Sequence, residues 1–331
     1  MNWEGFTDST LAIPGTPIPG LWGYRRMSAE EYHAFPAVNA SLLKRRTPAE
    51  MFAQLTAPHK DTDALTLGTL VHMVTLEPEV SWSDRFALAD IPINKKTGAP
   101  YGTDTKKAAA AWELAKKENP GKIIVTEDSL RSHMEECRDL RDALLANPDA
   151  MQELEGAQFE VSGILWHEEW GCWIKWRLDI LPRGGRRLGD VKTSSRHPME
   201  FSRDCWQYGY FIQAVWYAHC HETLLARHRM QVEVTKFSFV IMSKADDKKQ
   251  PRPPMVRVAD LPLVPGIHNG VDKARQYLGI PQGLSRVDMF VSCAREYIEA
   301  GKPTDFASIR RCFPAFEQEA GEKGGRYVLA D

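Results

Sequence analysis

The sequence predicts an α/β (α+β) fold, with a central mixed sheet flanked by helices and a helical N-terminal part before it. Up to residue 145 the apolar residues recur mainly at helical spacing. Three segments then alternate between apolar and polar residues, as strands do: 159–166, 173–181 and 187–192. A long aromatic-rich helix at 199–225 and a further strand at 232–242 follow, so the sheet is the expected platform for a functional site.

The chain divides into three predicted regions. Residues 1–27 are rich in glycine and proline and are interpreted as an irregular N-terminal arm. Residues 28–300 form one domain, whose core is expected at 155–245, and residues 301–331 form a C-terminal tail.

Helical signals fill the first half of this domain. A capping-box pattern, Ser28 with Glu31, marks the start of the first helix. The polar segment 90–106 is predicted to be a mobile loop, and its lysines either contact a DNA backbone or are simply solvated. Helices are predicted within 28–57 and at 65–77, 108–118, 129–145 and 269–300.

Composition limits the classes of function. The 331 residues are 43% hydrophobic, which is typical of a globular protein, and the net charge of −2 disfavours a purely electrostatic nucleic-acid binder. No apolar run approaches the roughly 18 residues that span a bilayer. The N-terminus also lacks a signal-peptide pattern, so a cytoplasmic protein without membrane partners is expected. Six cysteines form no CxxC pair, which favours free thiols over an iron–sulfur cluster.

Charged residues converge on the predicted strands. Asp190 and Lys192 are two residues apart on a strand, so their side chains point to the same face. Asp179 ends the preceding strand of the expected hairpin, which brings it next to Asp190 across the sheet. Glu160 occupies an alternating position one strand earlier. Two adjacent carboxylates repel each other unless a cation lies between them, and Mg²⁺ binds such oxygen ligands together with substrate phosphate.

This arrangement predicts hydrolysis of a phosphodiester bond. Mg²⁺, or Mn²⁺ as a substitute, activates water and polarises phosphate. Lys192 would orient the water or neutralise the developing charge. The alternative is that Asp190 and Lys192 belong to an ordinary solvated strand, since acids and lysines at this spacing are common.

Several short motifs occur together between residues 28 and 225. They are Tyr32-His33, Asn39-Ala-Ser41-Leu42-Leu43, Thr47-Pro48-Ala49, Gly68-Thr-Leu-Val-His72, Leu76-Glu77-Pro78, Lys175-x-Arg177-x-Asp179, Asp190-Val-Lys192-Thr193-Ser194 and Tyr210-x-x-Gln213-x-x-x-Tyr217. Their combination resembles the exodeoxyribonuclease VIII (RecE) type of phage and prophage exonuclease, within the RecB-like branch of the PD-(D/E)xK nuclease superfamily. The resemblance implies a PD-(D/E)xK nuclease core.

The resemblance also implies which residues act at the site. Asp179 and Asp190 would be metal ligands, and the Val191 carbonyl would be a further one. His72 would be a ligand or lie beside one, although a buried core histidine is the alternative. Lys192 would be the catalytic lysine.

Other residues would support this centre. Glu160 would support the metal or the phosphate. Gln213 and Tyr217, one helical turn apart, would face the site from the long helix and contact DNA or the lysine. Tyr217 could equally be a core aromatic residue. Arg177 either pairs with an acid or binds phosphate.

The function expected from the resemblance is Mg²⁺-dependent 5′–3′ digestion of double-stranded DNA from linear ends, which leaves single-stranded tails for recombination. A single-strand annealing protein and a ring-like homo-oligomer are the implied partners, and the host cytoplasm is the location if a phage encodes the chain. Three alternatives stay open: a restriction-type or Cas4-like endonuclease, a catalytically silent DNA-binding module, and an unrelated metal-free protein. The lack of a cysteine cluster argues against a Cas4-like enzyme.

Overall fold

A computed structural model describes residues 13–19, 21, 23–44, 62–102, 104–168, 170–244 and 253–262. Its strands are β1 (Thr16–Pro17), β2 (Tyr24–Arg26), β3 (Phe86–Leu88), β4 (Ile123–Val125), β5 (Gln158–His167), β6 (Cys172–Leu181), β7 (Arg187–Ser194), β8 (Lys236–Ser243) and β9 (Met255–Pro262). Seven of them form one sheet in the order β1-β2-β5-β6-β7-β8-β9. Neighbours are antiparallel except β7 and β8, which are parallel. The predicted mixed sheet is therefore confirmed.

The helices of the described part are α1 (Ala29–Ala34), α2 (Ala40–Leu43), α3 (Asp63–Leu76), α4 (Trp82–Arg85), α5 (Lys106–Glu118), α6 (Glu127–Leu145), α7 (Pro148–Leu154), α8 (Phe201–Gln207) and α9 (Tyr210–Arg227). The predicted capping box of Ser28 and Glu31 starts α1. Thr62, Thr105 and Thr126 start α3, α5 and α6, because each hydroxyl accepts a bond from a first-turn backbone N–H. None of the described helices has the length and apolarity that crossing a membrane requires.

Helices cover the large sheet on both faces. Alternate residues of β8 point to opposite faces, and they belong to two different clusters of buried side chains. One cluster joins β5, β6 and β8 to α1, α2 and α9, through residues such as Phe35, Trp173, Trp176, Val215 and Phe237. The other joins the sheet to α3, α6 and α7, through residues such as Leu70, Leu140, Ala150, Ile180 and Val240. The result is a layered fold with one core on each face of the large sheet.

Several parts of the fold differ from the predictions, among them β3 and β4, which pair in parallel as a separate two-stranded sheet. Within the segment interpreted as an irregular arm, β1 and β2 extend the sheet beside β5. Strands of two and three residues are too short to show a period in the sequence. The helix predicted at 199–225 is split between α8 and α9 at Gly209, whose φ of 64° lies in the left-handed region. β9 was not predicted, and β8 begins at Lys236 instead of residue 232.

Other predictions lie outside the described residues. These are the rest of the first helical region up to residue 57, the helix at 269–300 and the tail at 301–331. The segment 90–106, predicted to be a loop, contains an isolated bridge between Ile93 and Pro100, and Lys107 at the start of α5 bonds the Tyr101 hydroxyl at 3.0 Å. The four cysteines of the described part are free thiols.

A buried chain of hydrogen bonds joins the first strands to the centre of the fold. The Tyr24 hydroxyl accepts a bond from the Trp176 indole N–H at 3.0 Å and lies 2.6 Å from His221 Nδ1. His221 Nε2 lies 3.1 Å from the Gly185 carbonyl oxygen. Because a carbonyl only accepts, Nε2 carries the proton and Nδ1 accepts from Tyr24. The imidazole is therefore neutral, and burial lowers its pKa to about 4.

This histidine should make stability depend on pH. Between pH 6.5 and about 4 the unfolded chain binds a proton that folded His221 does not, so the free energy of unfolding should decrease as the pH falls through this range. The shift corresponds to about 3 kcal/mol. Urea unfolding across this range should show a shallower pH dependence for His221→Gln, whose amide bonds but does not titrate. Equal slopes for the two proteins would contradict the prediction.

Candidate active site

The charged residues singled out from the sequence meet where β6 and β7 separate. The two strands pair in antiparallel register at Ile180 and Gly189. Beyond it the gap between the strands is filled by side chains from both helical layers. His72 reaches it from α3 on one face, and Gln213 reaches it from α9 on the other. The hairpin predicted from Asp179 and Asp190 is therefore present, and its divergence makes the site.

Glu160 and Asp179 occupy opposing positions on β5 and β6. The flanking residues pair in register, but this one position is missing from the ladder. Glu160 has a φ of 51°, in the left-handed region that residues other than glycine seldom adopt. Such a backbone costs about 1–3 kcal/mol and occurs most often at functional sites. The fold thus holds a carboxylate in place at the expense of a regular strand.

His72 lies between these two carboxylates. Its Nδ1 is 2.8 Å from Glu160 Oε1, and its Nε2 is 3.6 Å from Asp179 Oδ2. Burial lowers the pKa of His72, but the charges of Asp179 and Glu160 raise it by more, so that it is about 9. The neighbouring carboxylates therefore favour the protonated imidazole, and a cation that binds His72 would have to displace this proton.

Asp179 is the most crowded acid of the site. Its Oδ2 accepts a hydrogen bond from the Val191 N–H at 2.8 Å. In an extended strand the N–H and C=O of one residue point to the same neighbour, so the Val191 carbonyl also faces the gap. Burial, followed by the charge of Asp190, raises the pKa of Asp179 to about 8 despite the opposing effect of His72. Burial and the neighbouring acids therefore disfavour the charged form of this carboxyl group.

Asp190 belongs to a second group, centred on Lys192. Its Oδ1 accepts a bond from Gln213 Nε2 at 2.6 Å, and its Oδ2 forms an ion pair with Lys192. Burial lowers the pKa of Lys192, but Asp190 and Asp179 raise it by more, to well above its usual value. Lys192 is therefore an ammonium ion, and its Nζ lies 5.0 Å from the centre of the Tyr210 ring in a cation–π contact.

Lys44, which was not predicted from the sequence, completes this group. Its Nζ donates a hydrogen bond to Gln213 Oε1 at 2.5 Å and lies 5.1 Å from the centre of the Tyr210 ring. An ammonium group can only donate, so the Gln213 amide turns its oxygen to Lys44 and its NH₂ to Asp190. The one signal for Lys44 was its position directly after the motif that ends at Leu43.

The remaining predicted residues are placed as follows. Arg177 Nε donates to Glu160 Oε2 at 2.8 Å, so the structure shows the pairing with an acid. Burial raises the pKa of Glu160, but His72 and Arg177 lower it by more, to about 2. Gln213 is buried between Lys44 and Asp190, and Tyr217 is buried with its ring 6.3 Å from that of Phe237. A DNA contact by these residues stays a prediction.

The donor atoms suit a divalent cation. One atom each of His72, Glu160 and Asp179 lie within 4.8 Å of one another. Two carboxylates and an imidazole, with the Val191 carbonyl beside them, form the hard, oxygen-rich donor set that Mg²⁺ and Mn²⁺ accept. The raised pKa of Asp179 also suits a cation site, because a cation beside this carboxyl group would stabilise its charged form. Asp190, predicted as a ligand, lies outside this group and bonds Gln213 and Lys192.

The site thus combines a mixed sheet, a histidine from a helix, and two aspartates and a lysine where two strands diverge. The sequence model of the PDDEXK-like domain of unknown function (DUF3799) matches residues 39–250. The chain therefore belongs to this family, which supports its place in the PD-(D/E)xK nuclease superfamily. No curated protein matches the sequence.

The crowding at Asp179 leads to a test that does not depend on catalysis. Without added metal, Asp179→Asn should be more stable than the wild type at pH 7 by about 1–2 kcal/mol, because the variant removes a buried acid and keeps an acceptor for Val191. Added Mn²⁺ should raise the unfolding midpoint of the wild type but not that of the variant.

Thermal unfolding with and without Mn²⁺ measures both effects. Asp139→Asn is the matched control, because Asp139 is an exposed acid on α6. This control should respond to Mn²⁺ as the wild type does. An equal response of Asp179→Asn would show that Asp179 does not bind the cation.

Proposed function

We propose that this protein is a Mg²⁺-dependent deoxyribonuclease that hydrolyses phosphodiester bonds. The main support for this proposal is that donor atoms of His72, Glu160 and Asp179 lie close together. The ion pair of Asp190 and Lys192 lies beside them. Membership of a PDDEXK-like family supports the nuclease activity. The finer proposal, 5′–3′ digestion of duplex DNA from linear ends to leave single-stranded tails for recombination, is supported by the resemblance of the motifs to the RecE type.

The chemistry follows from the separation of roles within the site. Mg²⁺, when bound, supplies an activated water and polarises the scissile phosphate. His72, Glu160 and Asp179 would hold the cation, and Arg177 holds the Glu160 carboxylate in place by its hydrogen bond. Asp190 lies between this group and Lys192, so it fixes the position of the ammonium relative to the scissile phosphate.

Lys192 acts through its charge in this proposal. Asp190 and Asp179 raise the pKa of Lys192 above its usual value and so favour the ammonium form. We propose that this ammonium stabilises the negative charge that develops on the phosphate. The Tyr210 ring and Asp190 together restrict the ammonium to one position, which increases the effect of its charge.

The proposed partners follow from the same resemblance. Linear DNA ends are the substrate, a single-strand annealing protein would receive the product strand, and a ring-like homo-oligomer would provide processivity by enclosing DNA. Sedimentation of the purified protein, alone and with linear DNA, tests the oligomer independently of catalysis.

Loss of the Lys192 charge should slow hydrolysis strongly. With Mg²⁺, wild-type protein should digest linear duplex DNA and leave covalently closed circles intact. Lys192→Met should lower the rate by about 10²- to 10³-fold, because a preorganised positive group at the phosphate is removed. Lys116→Met, at an exposed lysine on α5, should retain the wild-type rate.

Each other result has a clear meaning. Cleavage of closed circles would identify an endonuclease. No cleavage of either DNA with Mg²⁺ or Mn²⁺ would leave a silent DNA-binding module. Linear DNA labelled at the 5′ or the 3′ end would show which end is released first. Digestion from the 3′ end would contradict the 5′–3′ proposal.

Lys44 should affect turnover and not substrate binding. Lys44→Met frees the Gln213 amide to rotate away from Asp190, and loss of a residue that orients a site typically costs about 10- to 100-fold. We expect kcat to decrease by about that factor with little change in KM. Lys44→Arg keeps a donor and should recover most of kcat. Equal kcat values for Lys44→Met and Lys44→Arg would show that hydrogen-bond donation by Lys44 does not affect turnover.

A further inference from the structure

A cavity of about 680 Å³ opens directly beside Lys192 and is not used by the chemistry described above. It lies between the first turns of α3, the middle of α6, the C-terminal end of β7 and the junction of α8 with α9. The metal-binding group lies farther along α3, at His72, so the cavity continues the site on the side of Lys192. Its size is that of a pocket for a small organic ligand.

The charges around the cavity balance. Three basic side chains line it: Lys192, Arg196 and Lys244. Three carboxylates line it as well: Asp63, Glu136 and Asp204. Arg196 is held by Asp204 at 2.5 Å, and Lys244 lies 3.7 Å from Glu136. A lining without net charge suits a nucleobase and sugar better than a bare phosphate.

One wall of the cavity is aromatic. Tyr208 and Tyr210 line it on either side of Gly209, with ring centres 5.6 Å apart, and Phe201 stacks on Tyr210 at 5.8 Å. The ring of Tyr210 already makes cation–π contacts with the ammonium groups of Lys44 and Lys192. Tyr208 is 48% exposed. Its ring face is therefore the part of this wall that is available to a ligand.

The lining also contains polar side chains. The end of β7 contributes the side chains of Thr193, Ser194 and Ser195, and the Ser194 hydroxyl is fixed by a 3.0 Å bond to Asp204. A cavity that combines an exposed aromatic ring with hydroxyl groups offers partners for both parts of a nucleotide, its base and its sugar–phosphate edge.

We propose that this cavity is a subsite for the unpaired nucleotide next to the scissile phosphate, whose base stacks on the ring of Tyr208. The inference rests on the proposed nuclease function and adds the form of its substrate: the end of the strand leaves the duplex and enters the cavity before it is cut. Stacking accepts any base, so this subsite recognises an unpaired strand and not a sequence.

The test follows the base itself. Duplexes carry 2-aminopurine, whose emission is quenched by stacking, at the first, second, third or sixth nucleotide from the 5′ or the 3′ end. They are titrated with full-length protein in Ca²⁺, which binds oxygen ligands as Mg²⁺ does, and gels confirm that the DNA stays intact. We expect protein-dependent quenching at one or two successive terminal positions of one strand, and none at the sixth.

Variants assign the quenching to Tyr208. Tyr208→Ala should remove the quenching and weaken DNA binding by about 5- to 150-fold, the range for loss of one base–aromatic stack. Tyr208→Phe should retain both properties, because the ring and not the hydroxyl stacks. Trp82→Ala removes another partly exposed aromatic side chain, one that does not line the cavity, and should behave as the wild type.

Failures of the two proposals are distinguishable. If wild-type protein digests DNA with Mg²⁺ but Tyr208→Ala keeps the quenching and the affinity, the subsite is wrong and the nuclease function stands. An equal loss in Tyr208→Phe and Tyr208→Ala would also overturn stacking. If wild-type protein neither digests nor binds DNA, the nuclease function fails and the subsite fails with it.

Discussion

The early separation of β6 and β7 is the constraint on which the site depends. A continuous ladder would use the Val191 N–H in a strand–strand bond and would close the space next to it. Instead the Asp179 carboxylate accepts that N–H, so the ends of both strands stay apart without an unpaired buried donor. Through this opening, helices on opposite faces of the sheet bring His72 and Gln213 to one place.

Charge within this opening is arranged in two groups. Glu160 and Asp179 share His72, while Asp190 is balanced by Lys192. The balance is incomplete at Asp179, whose pKa is raised, and the backbone of Glu160 lies in a strained region. Both features lower the stability of the fold, and such departures from local preference are typical of functional sites.

The break at Gly209 connects the site to the neighbouring cavity. A continuous helix would carry Tyr208 and Tyr210 around its axis and onto different faces. The left-handed residue between them lets both rings line the cavity. It also leaves room for the Lys44 side chain, since a Cβ at Gly209 would lie 3.2 Å from Lys44 Cγ. One glycine thus shapes both the positioning of Lys192 and the wall of the cavity.

The sequence by itself determined the four central strands β5 to β8, the hairpin and the convergence of Asp179, Asp190 and Lys192, because strand periodicity and i, i+2 spacing are local properties. It did not determine the left-handed backbone conformation of Glu160, the split of the long helix or the place of Lys44 beside Gln213. These depend on contacts between residues far apart in the chain, 169 positions in the case of Lys44 and Gln213. Only the packing of helices on both faces of the diverging strands decides them, because side-chain donors and acceptors find their partners after the layers are assembled.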